Sequence, residues 1–387
     1  MTLLNQKFTK TAIVRVDYNV PLGGGKILDL TRIKSSLPTI KFLLKNNISI
    51  ILMSHLGRPQ KKDRQHSLRV LIPYLEKLTK QRICFLETPT KQKIPQGSIG
   101  LLENLRFFSG EQKNEKNFCK TLAKLGDIYI NDAFGSSHRD HASISGIHHF
   151  FPQEKYKGLL LESELFQLQK LKNNPQHPYT IIVGGAKIGS KIHMLESFLN
   201  IADNILIGGG MAFPFIKYVG GKIGNSICQD NEMEIVKSFF KKAKQSKTTI
   251  LLPEDCLITR SVKNKQDQKM ADIMKIPNGY CGVDVGPKTI ELFRSVILKS
   301  KSIMWNGPMG ISEISDFSSG TRSLATSIQT ATKNGAYSLV GGGDTVSDIY
   351  RLGFENSFSY VSTGGGAMLE FFKKNSLPGI LNLKTLK

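Results

Sequence analysis

Arg32, Arg58, Arg106 and Arg139 all fall in or near polar loops that follow short apolar runs in the first half of the sequence. A guanidinium is always charged and grips a carboxylate or phosphate through two parallel hydrogen bonds. His55 adds another donor after the run Ile48–Met53, and Asp17 and Asn19 lie where the run Ala12–Tyr18 ends. Together these groups suit a small ligand that carries both kinds of anion. Any single arginine is equally well explained as the partner of a surface acid. Four at comparable strand ends favour a clamp, because loops at strand ends are where sites are built.

The second half offers bare backbone instead. Its runs end in Gly184-Gly185-Ala186-Lys187, Gly208-Gly209-Gly210, Asn306-Gly307-Pro308, Gly341-Gly342-Gly343-Asp344 and Thr363-Gly364-Gly365-Gly366. Without Cβ, glycine reaches positive φ and lets amide N–H groups point at a phosphate. A glycine triplet also serves a tight turn or close helix packing. Lys187 and Lys191 are four apart beside an expected helix entry, a spacing that puts both on one helical face. Asp344 is a candidate Mg²⁺ carboxylate beside a phosphate.

Several familiar signatures fail. The segment GGAKIGSK at 184–191 lacks the spacing of a Walker phosphate loop, and no G-x-G-x-x-G with its downstream acid supports a nicotinamide dehydrogenase. His138-Arg139-Asp140 spells a protein-kinase triplet, but Ser145 stands where the asparagine belongs. His138, His141, His148 and His149 have no cysteine or acid to complete a metal set and read as solvated or capping.

The elements that must hold these loops follow one pattern, a β-branched run, a polar or glycine turn, then helical spacing. The ten runs are Ala12–Tyr18, Ile48–Met53, Ile99–Leu102, Asp127–Asn131, Thr180–Val183, Ile205–Ile207, Thr249–Leu252, Ser302–Trp305, Ser338–Val340 and Tyr360–Ser362. Continuous apolar strands alternating with helices predict an α/β chain of parallel sheets covered by helices on both faces. At 387 residues, two domains are expected. Between the halves, Leu161, Leu165 and Leu168 recur at i, i+4 and i+7, predicting a helix over Gly158–Leu171 that Asn173-Asn174-Pro175 and Pro178 stop. It reads as a connecting helix or as a peripheral helix of one domain.

Hydrophobic residues at 40% and charged residues at 22% exclude a disordered or collagen-like chain. No apolar run reaches the ~18 residues of a membrane span, and the polar first ten residues argue against secretion. Five scattered cysteines without a C-x-x-C pair fit free thiols in a reducing cytoplasm. The net charge is +22, from 53 Lys and Arg against 31 Asp and Glu. Such a field attracts anions of any kind. Much of the excess lies in Lys237–Lys247 and Lys263–Lys269, without a nucleic-acid motif beside them, so a solvated lysine surface is expected and nucleic acid is not the expected main partner.

Eleven segments, in order along nearly the whole chain, resemble the signatures of the phosphoglycerate kinase family. They are VDYNVP at 16–21, TRI…LPTI at 31–40, LMSHLGRP at 52–59, LLENLRF at 101–107, NDAFGSSHRDHAS at 131–143 and VGGAKIGSKI at 183–192. The rest are IGGGMA at 207–212, VDVGPKT at 283–289, WNGPMG at 305–310, VGGGDT at 340–345 and VSTGGGA at 361–367. The resemblance implies two Rossmann-like domains joined by a hinge helix. The expected layout is an N-terminal phosphoglycerate-binding domain over 1–157 on which the tail 375–387 packs back, a connecting helix over 158–172, and a nucleotide-binding domain over 173–374.

It also implies reversible phosphoryl transfer from 1,3-bisphosphoglycerate to MgADP, in line and after hinge closure, by a cytoplasmic monomer without membrane attachment. Carried over by motif, Asp17, Asn19, Arg32, His55, Arg58, Arg106 and Arg139 would hold phosphoglycerate. Gly185, Ala186, Gly208, Gly209, Asn306, Gly307, Pro308, Met309 and Glu313 would line the nucleotide site. Lys187, Lys191, Gly342, Gly343, Asp344 and Thr345 would meet the phosphates, with Asp344 on the Mg²⁺. Arg32, Lys187, Lys191, Gly342 and Gly343 would stabilise the group in transit. The chain departs from the family pattern at Leu30, where an acid often stands, at Ser312, usually Phe, at Glu254, usually Val, and mildly at Tyr18, usually Phe. Ser312 and Glu254 bear on purine-side packing and nucleotide affinity.

Overall fold

The strand Thr11–Val16 shows why the apolar runs are continuous. Its alternate side chains Ala12, Val14 and Val16 pack with Ile33, Ile50 and Leu52 on one face, while Ile13 packs with Ile51, Met53 and Tyr129 on the other. Successive strand residues point to opposite faces, so a sheet buried on both sides needs apolar residues at every position. The computed structural model describes residues 10–386 apart from 91–93, 190, 230, 266 and 375. Packing divides the chain into one unit that ends at Phe166 and resumes at Lys374, and a second over Gln167–Lys373.

In the first unit, seven strands run in the order Lys384–Thr385, Lys155–Lys157, Ile128–Asp132, Thr11–Val16, Ser49–Met53, Ile99–Leu102, Ile83–Leu86. Every neighbouring pair is parallel. The strands Ile83–Leu86, Lys155–Lys157 and Lys384–Thr385 add to those expected from the sequence. Asn131 ties the tail down further, its Nδ2 donating to the Gly379 carbonyl at 2.7 Å.

In the second unit, six parallel strands run in the order Thr249–Leu251, Asn204–Ile207, Tyr179–Val183, Ser302–Asn306, Tyr337–Val340, Tyr360–Val361. A separate antiparallel sheet, Lys269–Asp272, Asp255–Thr259 and Cys281–Val285, was not foreseen. All ten expected runs are strands within a residue or two of their expected ends.

The helix Leu159–Asn173 contains the boundary between the units, and Leu161, Leu165 and Leu168 are buried along it. Its first N–H groups are capped from outside, by Asp132 Oδ1, which accepts from Leu160 N at 3.0 Å and Leu161 N at 3.2 Å. Burial pushes the Asp132 carboxyl up to about 7 against these hydrogen bonds. Lys237, Lys241, Lys244 and Lys247, and Lys263, Lys265 and Lys269, are exposed, as a solvated lysine surface requires. Among the described residues, no helix is long and apolar enough to cross a membrane.

Candidate functional site

At the carboxyl edge of the first sheet, neighbouring strands converge on Asp17. The central strand delivers Asp17 and Asn19, Ser49–Met53 leads to His55 and Arg58, Ile99–Leu102 to Arg106, and Ile128–Asp132 to Arg139. Arg32 comes from the first turn of the helix Thr31–Lys45, and its Nη1 lies 3.1 Å from Asp17 Oδ1. That helix lacks a side-chain cap from Leu30, but Asp29 Oδ1 accepts from Thr31 N at 2.8 Å and Thr31 Oγ1 at 2.6 Å. The acid missing at position 30 is thus replaced by the residue before it.

The arginines lie close enough to repel one another. Burial lowers the Arg106 pKa to about 10, helped by repulsion from Arg139, Arg58 and Arg15. Arg139 is lowered by burial too, with Arg58, Arg15 and Arg32 acting against the attraction of Asp17. Burial would raise Asp17, yet its cationic neighbours, Arg32 first and Arg15 with it, hold its carboxyl below the ordinary value. Asn19 Oδ1 accepts from Gly57 N at 2.8 Å and Arg106 Nη1 donates to Gly57 O at 2.7 Å, so the loop carrying exposed Arg58 is clamped at both backbone atoms of Gly57. All seven expected residues therefore belong to one polar, positively charged surface of the first unit.

Arg15 was not foreseen. It is 1% exposed, donates through Nε to Ser143 Oγ at 2.9 Å, and places Nη2 3.3 Å from His55 Nδ1. A guanidinium can only donate, so Nδ1 must accept and Nε2 must carry the ring proton. Burial holds His55 well below its ordinary pKa against the pull of Asp17, with Arg15, Arg106 and Arg139 adding to the lowering. The ring is a neutral donor. Arg15 also offsets the buried Glu111, whose carboxyl is raised by burial and lowered by Arg15 and by Ser143, which donates to it at 2.6 Å through Oγ and 3.0 Å through N. Arg15→Met should therefore destabilise the chain by on the order of 3 kcal/mol, read by urea unfolding, because it leaves Glu111 without its buried counter-charge. His148, expected to be solvated or capping, is instead buried with its ring 5.3 Å from Tyr129.

In the second unit, the glycine loops first serve one another. A Cβ on Gly307 (φ +106) would sit 2.2 Å from Gly184 O, and one on Gly365 would sit 2.4 Å from Gly342 Cα. Gly185 N donates to Pro308 O at 2.8 Å and Gly307 N to Thr345 Oγ1 at 2.7 Å. Gly343 is different. A Cβ there would meet nothing within 4 Å, and it opens the helix Gly343–Arg351, which has no side-chain cap. Its first N–H groups are the exposed partial positive charge that suits a phosphate.

Lys187 and Lys191 do not share a helical face. The helix starts at Ile192, with Lys191 as its N-cap, and Lys187 is exposed in the preceding turn, because the glycine loop is not yet helical. Lys191 turns inward, and its Nζ donates to Gly184 O at 2.6 Å and Asn306 O at 3.3 Å. Burial lowers its pKa to about 8 despite the attraction of Asp344. That lysine ties the loop after Tyr179–Val183 to the end of the strand Ser302–Asn306.

A cavity of about 690 Å³ opens beside these loops. Of the residues expected at the nucleotide site, Gly185, Ala186, Gly209, Pro308, Met309, Glu313 and Asp344 line it. Lys187, Lys191, Gly208, Asn306, Gly307, Gly342, Gly343 and Thr345, also expected there, are not among its lining residues. Gly208 packs where its Cβ would meet Met309 Sδ at 2.3 Å, and Asn306 Nδ2 donates to Gly341 O at 3.0 Å. The apolar end was missed by sequence reasoning: Phe213, Ile227, Cys256, Ile273 and Cys281 come from segments whose alternation, not any motif, could have marked them. Buried Asp284 also lines it, accepting from Val285 N and Gly320 N at 2.9 Å, with burial pushing its carboxyl up to about 7. Glu254 is exposed and not among the lining residues.

The arginine surface suits a small dianion and the glycine-floored cavity suits a nucleotide, which is the pairing of sites that the sequence resemblance called for. A profile of the phosphoglycerate kinase family matches residues 5–375. The chain belongs to the phosphoglycerate kinase family. It is 41% identical over 387 residues to the phosphoglycerate kinase of Thermosipho africanus, covering 98% of this chain and 96% of that one. Against the Dictyoglomus turgidum enzyme it is 42% identical over 385 residues, with 97% and 96% covered. The solved phosphoglycerate kinase of Coxiella burnetii superposes with a TM-score of 0.86 at 34% identity, covering 98% of this chain and 97% of that one. That of Pyrococcus horikoshii gives 0.80 at 29%, over the same shares.

Proposed function

We propose that the arginine cluster around Asp17 binds phosphoglycerate, that the cavity beside Gly185 and Gly343 binds ADP or ATP, and that the chain transfers a phosphoryl group between them. The observation that carries this is the division of labour between the units: fixed positive charge in one, an uncapped helix start beside a half-buried lysine in the other.

In the direction of ATP formation, a β-phosphate oxygen of ADP attacks the phosphorus of the acyl phosphate. The P–O bond to the acyl oxygen breaks and 3-phosphoglycerate leaves as a carboxylate. Both attacking and leaving oxygens are anionic at neutral pH, so no side chain needs to move a proton. What the residues supply is alignment and positive charge for the equatorial oxygens. Arg32 and Lys191 would meet the group in transit, with the N–H groups at Gly342–Gly343 completing the cradle. Neutral His55 would donate from Nε2.

Asp344, exposed in the first turn of its helix and lining the cavity, fits a Mg²⁺ held by one carboxylate, substrate phosphates and water. Bound there, the ion would neutralise phosphate charge.

The two ligand sites belong to different units, so the reading requires a hinge closure that joins them and excludes water. The helix Leu159–Asn173 is the candidate hinge, since the unit boundary falls within it. Both sites are built from one chain, which favours a monomer, and the buried free thiols Cys119 and Cys256 favour the cytoplasm.

A coupled assay should detect ATP from MgADP and 1,3-bisphosphoglycerate, and no turnover would overturn the reading. X-ray scattering should give a smaller radius of gyration with both substrates than with either alone; identical values would remove the closure.

A further inference from the structure

Ser312 lies next to Glu313 in the loop that follows Asn306-Gly307-Pro308, where the family usually carries a phenylalanine. It is 2% exposed, and its hydroxyl donates to Asp348 Oδ2. Asp348 is also buried, and its second oxygen accepts from Arg351 Nη2 at 2.7 Å. The same Nη2 donates to the Ser312 carbonyl. Three residues thus close a ring of hydrogen bonds between the loop and the helix Gly343–Arg351.

The placement on that helix matters. Asp344, Asp348 and Arg351 stand at i, i+4 and i+7, one stripe, and all three line the cavity with Ser312 and Glu313. The helix that begins with the phosphate-facing N–H groups at Gly343 is therefore bolted, two turns later, to the loop that carries Glu313. A buried carboxylate is tolerated only when its oxygens are engaged. Ser312 and Asp348 are chemically matched, since an apolar ring at 312 would leave Asp348 Oδ2 without its donor.

We infer that Ser312, Asp348 and Arg351 form a polar strut that fixes the loop carrying Glu313 against the phosphate-side helix and so sets nucleotide affinity. This rests on the cavity being the nucleotide site. The three are positioning residues.

The test is calorimetric titration of MgADP into the full-length chain and into Ser312→Ala, Ser312→Thr, Asp348→Ala, Arg351→Met and the Ser312→Ala/Asp348→Ala pair. The wild type should bind, and each alanine or methionine variant should bind about tenfold more weakly, a loss of one stabilising polar contact in the bound state. The double variant should also lose about tenfold rather than a hundredfold, because both changes break one ring. Ser312→Thr keeps the hydroxyl and should restore affinity. In steady-state kinetics, KM for the nucleotide should rise while KM for 3-phosphoglycerate stays put. If the wild type binds MgADP and the variants match it, or if melting temperature falls while affinity does not, the strut is overturned. If the wild type itself binds no nucleotide, the assignment of the cavity has failed instead. Should Asp348→Ala not fold, the partly exposed Arg351→Met decides between the outcomes.

Discussion

Lys191→Ala is expected to lower kcat by at least a hundredfold while the chain still folds. The side chain is turned inward onto Gly184 O and Asn306 O, so the ammonium is held at the junction of the loops. A preorganised cation in a partly desolvated site is worth far more to a developing phosphoryl charge than the same cation in water. Removal of one such donor costs roughly a hundred- to thousandfold in rate. Near-normal kcat with intact circular dichroism would show that Lys191 only props the loops.

The pH dependence gives a second handle on the same residue. Burial brings Lys191 down to about 8, so it is charged below that pH and loses its proton above it. For the free chain, kcat/KM for MgADP should therefore fall as pH rises through about 8. Lys191→Arg, whose guanidinium stays charged, should flatten that limb if the geometry still reaches. His55 contributes no limb near 6.5, because it is held neutral well below its ordinary value.

Much of this site was legible in the sequence for a physical reason. Strands buried on both faces must be continuously apolar, so their ends, and the loops that carry chemistry, could be located without coordinates. Strands such as Lys155–Lys157 and Lys384–Thr385 could not, because two or three half-exposed or exposed residues at or beside an edge carry no such run. Arg15 was hidden by its position. A charge inside an apolar run reads as an interruption, and only the tertiary neighbours Ser143, His55 and Glu111 explain it. The glycine loops announced a close approach but not its object. Most of them approach each other, whereas Gly343 at the start of its helix meets nothing within 4 Å. The cavity's apolar end is assembled from an antiparallel sheet, the helix that carries Phe213 and flanking loops that share no motif, so only the alternation within each segment, and no signature, could have marked it.

Arg32→Ala should likewise reduce kcat by roughly a hundred- to thousandfold, and here the split between kcat and KM is the informative part. Arg32 differs from the other arginines in coming from a helix start rather than a strand end, and its Nη1 is steadied by Asp17 at 3.1 Å. With the side chain 31% exposed, that pair adds little to stability, about 1 kcal/mol at most. Its removal should leave the urea midpoint nearly unchanged. If Arg32 only binds the ground-state ligand, KM for 3-phosphoglycerate will rise and kcat will hold. If it meets the phosphoryl group in transit, kcat and kcat/KM will fall together. Asp17→Asn is the companion variant. It leaves the guanidinium in place but removes the charge that aims it, so it should reproduce part of the loss in kcat, and a full wild-type rate there would mean that Arg32 finds its target without Asp17.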